Sequence, residues 1–169
     1  MGTLNTAVQQ HARYEDGSIE SRDVLGLVRL PARPEEVRRA REFTRWTFEV
    51  SQESKSLIDD AVLVVSELVT NVVRYSDSGP EPIAELVLLA VPGGAVRIEV
   101  HDCGQYPLKP RTSRMADESG RGLKVVAAVA SRCGVDVTPS GKRVWCELKP
   151  AAERDAGFAR ILKRKPKGS

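Results

Sequence analysis

Two rhythms of apolar residues run along this chain. Strand-like runs occupy its first and middle parts. Val24-Leu25-Gly26-Leu27-Val28-Arg29-Leu30 reads as a first strand, stopped by Pro31. Residues 83–91 (IAELVLLAV) are nearly continuous and apolar, and Pro92-Gly93-Gly94 then turns the chain. Residues 96–101 alternate, which sends Val96, Ile98 and Val100 inward and Arg97, Glu99 and His101 outward. These two runs predict an antiparallel hairpin with Asp102 at its exit. Helical spacing appears in between. Pro34 opens a helix whose apolar face is Val37, Ala40, Phe43 and Trp46. A second helix runs from about Ser56 to Tyr75, with Leu57, Ala61, Val65, Leu68 and Val72 as its buried stripe. Further on, a third helix is expected from Gly122 to about Cys133, with Gly134 as its stop. Val135–Thr138 and Arg143–Leu148 close the pattern as a last hairpin. Helices alternating with hairpins in this order predict an α+β two-layer sandwich, with the helices on one face of a mixed, mainly antiparallel sheet.

Composition bounds this picture. At 169 residues the chain suits one domain with tails. The expected layout is a disordered polar tail over 1–22, a domain over 23–149 and a basic tail over 150–169 that carries Lys163-Arg164-Lys165. Lys plus Arg number 26 against 23 Asp plus Glu, a net charge of +3 that is far weaker than a dedicated DNA binder's. No direct nucleic-acid binding is expected. The N-terminus has neither the basic start nor the apolar run of a secretory signal, and no run is long enough to span a membrane. Cys103, Cys133 and Cys146 form no C-x-x-C pair and are odd in number. They read as reduced thiols of a cytoplasmic protein, two of them small core residues.

Three short stretches carry candidate chemistry. Ser66, Glu67, Thr70, Asn71 and Arg74 fall on one polar face of an otherwise apolar helix, and Glu67 lies one turn from Asn71. A carboxylate beside a carboxamide offers a general base and a hard oxygen ligand, and Mg²⁺ held with phosphates needs only one or two such ligands. Asp102 ends a strand, where its carboxylate can accept a hydrogen bond from an amino group such as adenine N6. Gly104, two residues on, lets backbone approach a flat ring. Ser119-Gly120-Arg121-Gly122-Leu123 precedes a helix, an arrangement that aims free N–H groups at an anion. It is not a Walker A loop, since no Gly-Lys-Ser/Thr follows. Nor is there a nucleophile elbow to support a Ser/His/Asp triad. Each stretch alone matches ordinary structure: a solvated helix face, an Asp-x-Gly turn, a flexible loop. Their order and spacing together are specific.

In that order the chain resembles the GHKL ATPase superfamily with its Bergerat ATP-binding fold. Glu67-Leu68-Val69-Thr70-Asn71 looks like the N box. Asp102-Cys103-Gly104 and Gly120-Arg121-Gly122-Leu123 look like the two glycine boxes. VSELVTNVVRYS (65–76), ESGRGLKVV (118–126) and GKRVWCEL (141–148) are similar to the stand-alone bacterial anti-sigma-factor serine/threonine kinases, particularly the actinobacterial regulatory type. Tyr75 stands where that group often has His. The resemblance implies ATP and Mg²⁺ as cofactors. It also implies Asn71 as the Mg²⁺ ligand, Glu67 as the base toward a partner's serine, and Asp102 at the adenine amino group. Gly104, Gly120 and Gly122 would shape the base pocket, with an ATP lid over 103–119. From charge and position, Arg74 and Arg121 are expected at phosphate. The implied partners are a sigma factor and an anti-sigma antagonist, with a second copy of the chain as a further one. The alternative is a non-catalytic module, ATP-gated or nucleotide-free, that sequesters a transcription regulator.

Overall fold

The structure is a computed structural model, and it describes residues 23–76, 82–103, 120–138 and 141–150. The tails expected over 1–22 and beyond Pro150, and most of the expected lid, lie outside the described residues. Five strands form one sheet: β1 (Asp23–Pro31), β2 (Ile83–Val91), β3 (Ala95–Cys103), β4 (Arg132–Thr138) and β5 (Gly141–Leu148). Their order across the sheet is β1-β2-β3-β5-β4. All four described pairings are antiparallel. Three helices accompany them: α1 (Glu36–Val50), α2 (Lys55–Tyr75) and α3 (Gly120–Val129). The expected two-layer α+β sandwich is therefore the fold. Among the described residues, no helix is long and apolar enough to cross a membrane.

The core lies between the helices and one face of the sheet. Ser54 caps α2, its hydroxyl accepting from the Leu57 N–H. From there Leu57, Ile58, Ala61, Val64, Val65, Leu68, Val69 and Val72 bury a stripe at helical spacing against the inward residues of β2 and β3. That stripe contains every position expected of it. The face of α1 differs. Its buried residues are Ala40, Thr44, Thr47 and Phe48, while Trp46 is 50% exposed. The series 37, 40, 43, 46 steps by three, and each such step lags a 3.6-residue turn by about 60°. Three steps carry Trp46 to the side opposite Val37, so the series cannot be one face.

The third helix is also shorter than expected. It ends at Val129, and Cys133 and Gly134 belong to β4. The Ser131 backbone N–H and its hydroxyl both donate to the Glu147 carbonyl, which draws the chain onto the sheet edge before a fourth helical turn can form. Gly134, expected to stop a helix, instead lies opposite Trp145. A Cβ at residue 134 would come within 2.5 Å of the indole, so the ring can lie across β4 only because residue 134 lacks a side chain.

The outward face of β3 holds another departure. Val96, Ile98 and Val100 point into the core as expected, but Arg97 and Glu99 on the other face are buried rather than solvated. Arg97 Nε donates to Glu99 at 2.6 Å, and its other nitrogen donates to Glu147 at 3.1 Å. His101 Nε2 lies 3.1 Å from Glu99, and Arg143 pairs with both Glu99 and Asp136. The Arg97 guanidinium also lies 3.7 Å above the centre of the Trp145 ring. Glu147, Arg143 and Trp145 come from β5, more than forty residues along the chain, so the alternation within β3 could not reveal them.

Burial raises the Glu99 carboxyl pKa, but hydrogen bonds with His101 and Arg97 and the charges of Arg97 and Arg143 outweigh it. The net position is below the ordinary value of 4.5. A depressed carboxylate contributes stability above its unfolded pKa and loses it as pH falls through the folded one. Thermal unfolding followed from pH 7 downward is therefore expected to show melting temperature falling below about pH 4.5. The Glu99→Gln variant should be less stable at pH 7 by about 3–5 kcal/mol, because Arg97 and Arg143 lose a buried partner. It should also lose part of the acid slope; an unchanged slope would remove Glu99 as its source.

Candidate nucleotide site

α2 crosses the inner face of β3 and β5, and a pocket opens between them. Leu68, Asn71, Val72 and Tyr75 face it from α2, at spacings that keep them on one side of a helix. Val100 and Asp102 face it from β3, and Lys142 and Val144 from β5. The alternation of β3 and β5 sets this lining, since Val100 pairs with Val144 and Asp102 with Lys142. The space is about 350 Å³, counting its open mouth. Its walls are mostly apolar, with Asn71, Asp102 and Lys142 as polar points.

Asp102 is held from the end of α2. The Ser76 hydroxyl donates to its carboxylate at 2.7 Å, and Ser76 is the residue that closes that helix. A carboxylate offers about four acceptor positions, so this bond leaves Asp102 able to accept from a ligand amino group. Lys142 was missed by the reading of the sequence. Burial pushes its ammonium below the ordinary range, and the Asp102 charge draws it partly back. Pairing the strand that ends in Asp102 with the last strand, rather than reading each hairpin alone, would have found it.

Glu67 stands one helical turn from Asn71 and is half-buried. The start of α3 comes against it. A Cβ built on Gly122 would fall onto the Glu67 carboxylate, with Cδ at 3.1 Å. α2 thus presents Glu67 to the second glycine stretch and Asn71 to the Asp102 pocket. Other expected residues are placed differently. Arg74 is exposed and is not among the pocket's lining residues. Gly120 is the first residue of α3. The side chains of Arg121 and Leu123 lie outside the described residues, as does Gly104.

A family model for the histidine kinase-like ATPase domain matches residues 30–148 of this arrangement. The chain belongs to that family. An uncharacterized protein of Streptomyces coelicolor is similar to it, with 35% identity over 91 residues, covering 53% of this chain and 83% of the relative. Membership in the histidine kinase-like ATPases places the chain within the GHKL superfamily and implies ATP as its ligand. The donor set fits such a ligand. Asp102 is an acceptor and Asn71 a neutral oxygen donor in the lining of a mostly apolar pocket, and Glu67 is a carboxylate one turn from Asn71.

Proposed function

We propose that this protein is a cytoplasmic ATP-binding regulator of the anti-sigma type, with serine kinase activity toward an antagonist protein. The observation that carries the proposal is the half-buried Glu67 carboxylate against Gly122, one turn from Asn71 and the Asp102 pocket. In this reading Asp102 accepts from the exocyclic amino group of the base. Asn71 would hold Mg²⁺ through its carboxamide oxygen, and the ion would supply positive charge to the phosphates. Bound in this way, Mg²⁺·ATP supplies the phosphoryl group. Glu67 accepts the proton of the partner's serine hydroxyl, and catalysis rests on positioning, charge and one base. The partners are a sigma factor and its antagonist, and the protein acts as a homodimer.

A specific observation favours the non-catalytic alternative as well. The Lys142 ammonium lines the same pocket and feels the Asp102 charge, so an incoming base meets a carboxylate near a cation. A module tuned for weak, gated binding would use such a contact.

Calorimetry with Mg²⁺·ATP, followed by phosphotransfer from labelled ATP to the antagonist, separates these readings. Binding with label on a partner serine supports the kinase, and binding without it supports the module. No binding removes the kinase and the ATP-gated module alike, leaving a nucleotide-free one. Asp102→Asn keeps the volume and exchanges half of the acceptor for a donor. It is expected to weaken ATP roughly 10- to 150-fold, as hydrogen bonds to charged groups are worth about 1.5–3 kcal/mol. Affinity within twofold of the wild type would take Asp102 out of the base site.

A further inference from the structure

Two of the cysteines meet across the sheet. Cys133 on β4 and Cys146 on β5 are directly opposite in the antiparallel ladder, and both are free thiols. Residues opposed in this way point to the same face, with Cα atoms about 4.5 or 5.5 Å apart depending on the kind of pair. A disulfide spans Cα separations of about 4.4–6.8 Å, so either kind can close without moving the backbone. Burial, and next the neighbouring Cys133, push the Cys146 thiol well above its ordinary pKa. Their access to solvent differs. Cys133 is exposed on the edge strand, while Cys146 is 1% exposed within the core.

We infer that Cys133 and Cys146 form a peroxide-reactive dithiol, in which exposed Cys133 is oxidised first and buried Cys146 closes an intrachain disulfide. The substrate class is a hydroperoxide, with hydrogen peroxide the simplest member. The Cys133 thiolate attacks one peroxide oxygen. A sulfur–oxygen bond forms, the oxygen–oxygen bond breaks, and the leaving hydroxide takes a proton to become water. The Cys146 sulfur then attacks the sulfenic sulfur. The sulfur–sulfur bond forms, and the hydroxyl leaves with the Cys146 proton as a second water. Two thiols and one hydrogen peroxide thus give one disulfide and two waters. The two sulfurs supply the two electrons that the peroxide takes up.

The product ties the edge strand β4 to its only described neighbour, β5. Cys146 belongs to the same core cluster as Leu68 of α2 and Val126 of α3, so the modified pair sits behind the elements that carry Glu67 and Gly122. The inference is independent of the proposed kinase activity.

The test uses the full chain with equimolar hydrogen peroxide, read by intact mass and peptide mapping. The expected result is loss of the mass of two hydrogens, a linked peptide containing Cys133 and Cys146, and full reversal by dithiothreitol. In Cys146→Ser, Cys133 should stop at the sulfenic acid and be trapped by dimedone. In Cys133→Ser, Cys146 should stay unreacted. The inference is overturned by a disulfide through Cys103, by a Cys133-linked dimer, by oxygen added to Cys133 of the wild-type chain without loss at Cys146, or by three thiols left intact. The mapping of the wild-type chain decides the matter even where a variant does not fold.

Discussion

Gly122→Ala is expected to abolish phosphotransfer while leaving the protein as stable as before, or slightly more so. The added methyl falls on the Glu67 carboxylate. A clash with backbone would disrupt the fold, but the obstacle here is the far end of a flexible side chain. Glu67 can rotate away at little cost to folding, and the backbone at Gly122 is helical, so alanine suits it. An alanine in place of glycine inside a helix gains up to about 1 kcal/mol. Stability and activity are therefore predicted to move in opposite directions. Phosphotransfer should fall about 10²-fold or more, the lower range of what a general base contributes, while the melting temperature holds or rises. A variant that transfers phosphate at the wild-type rate would show that the position of the Glu67 carboxylate does not matter. A large loss of melting temperature would show that the start of α3, not Glu67, had moved.

Glu67→Gln isolates the chemistry from the space. Glutamine has nearly the shape of glutamate and keeps the contact with Gly122, but it cannot take a proton. Phosphotransfer should drop by about 10²- to 10⁴-fold, with ATP affinity close to that of the wild-type protein, because Asp102 and Asn71 are untouched. The two substitutions act on one group and should not add. Gly122→Ala placed on Glu67→Gln should cost little further activity, as expected of residues in direct contact. Full additivity would mean that Gly122 acts through something other than the carboxylate. A kinase rate unchanged in Glu67→Gln would leave the protein without its proposed base.

Much of this arrangement was legible in the chain itself, and what was not shares one cause. The hairpin of β2 and β3 and the buried stripe of α2 depend on rhythms that local sterics and one-sided burial impose, so they can be read within a window of ten or twenty residues. The glycine stretch that opens α3 could be picked out for a similar reason, since its order relative to Glu67 and Asp102 sets it apart. Lys142, the end of α3 and the buried Arg97–Glu99 pair were not. Each is decided by a partner from a distant segment: Asp102 for Lys142, the Glu147 carbonyl for Ser131, and Glu147 and Arg143 for the β3 charges. An alternating run with Arg and Glu on one side describes a wet face equally well. Only the neighbouring strand reveals that those charges satisfy one another away from water. Trp46 is exposed for the same lack of a local answer in α1: steps of three drift round a 3.6-residue helix, and only the packed partners decide where its face ends.

The indole of Trp145 resting across Gly134 has a consequence for descent. Residue 134 cannot drift alone. A lineage that acquires any side chain there must first shed the large ring opposite, and with it the surface that the Arg97 guanidinium covers. Position 145 is under no such constraint, because a smaller side chain still fits over a bare backbone, so the two changes can occur in one order only. A relative that keeps a broad flat side chain at 145 should keep a bare backbone at 134.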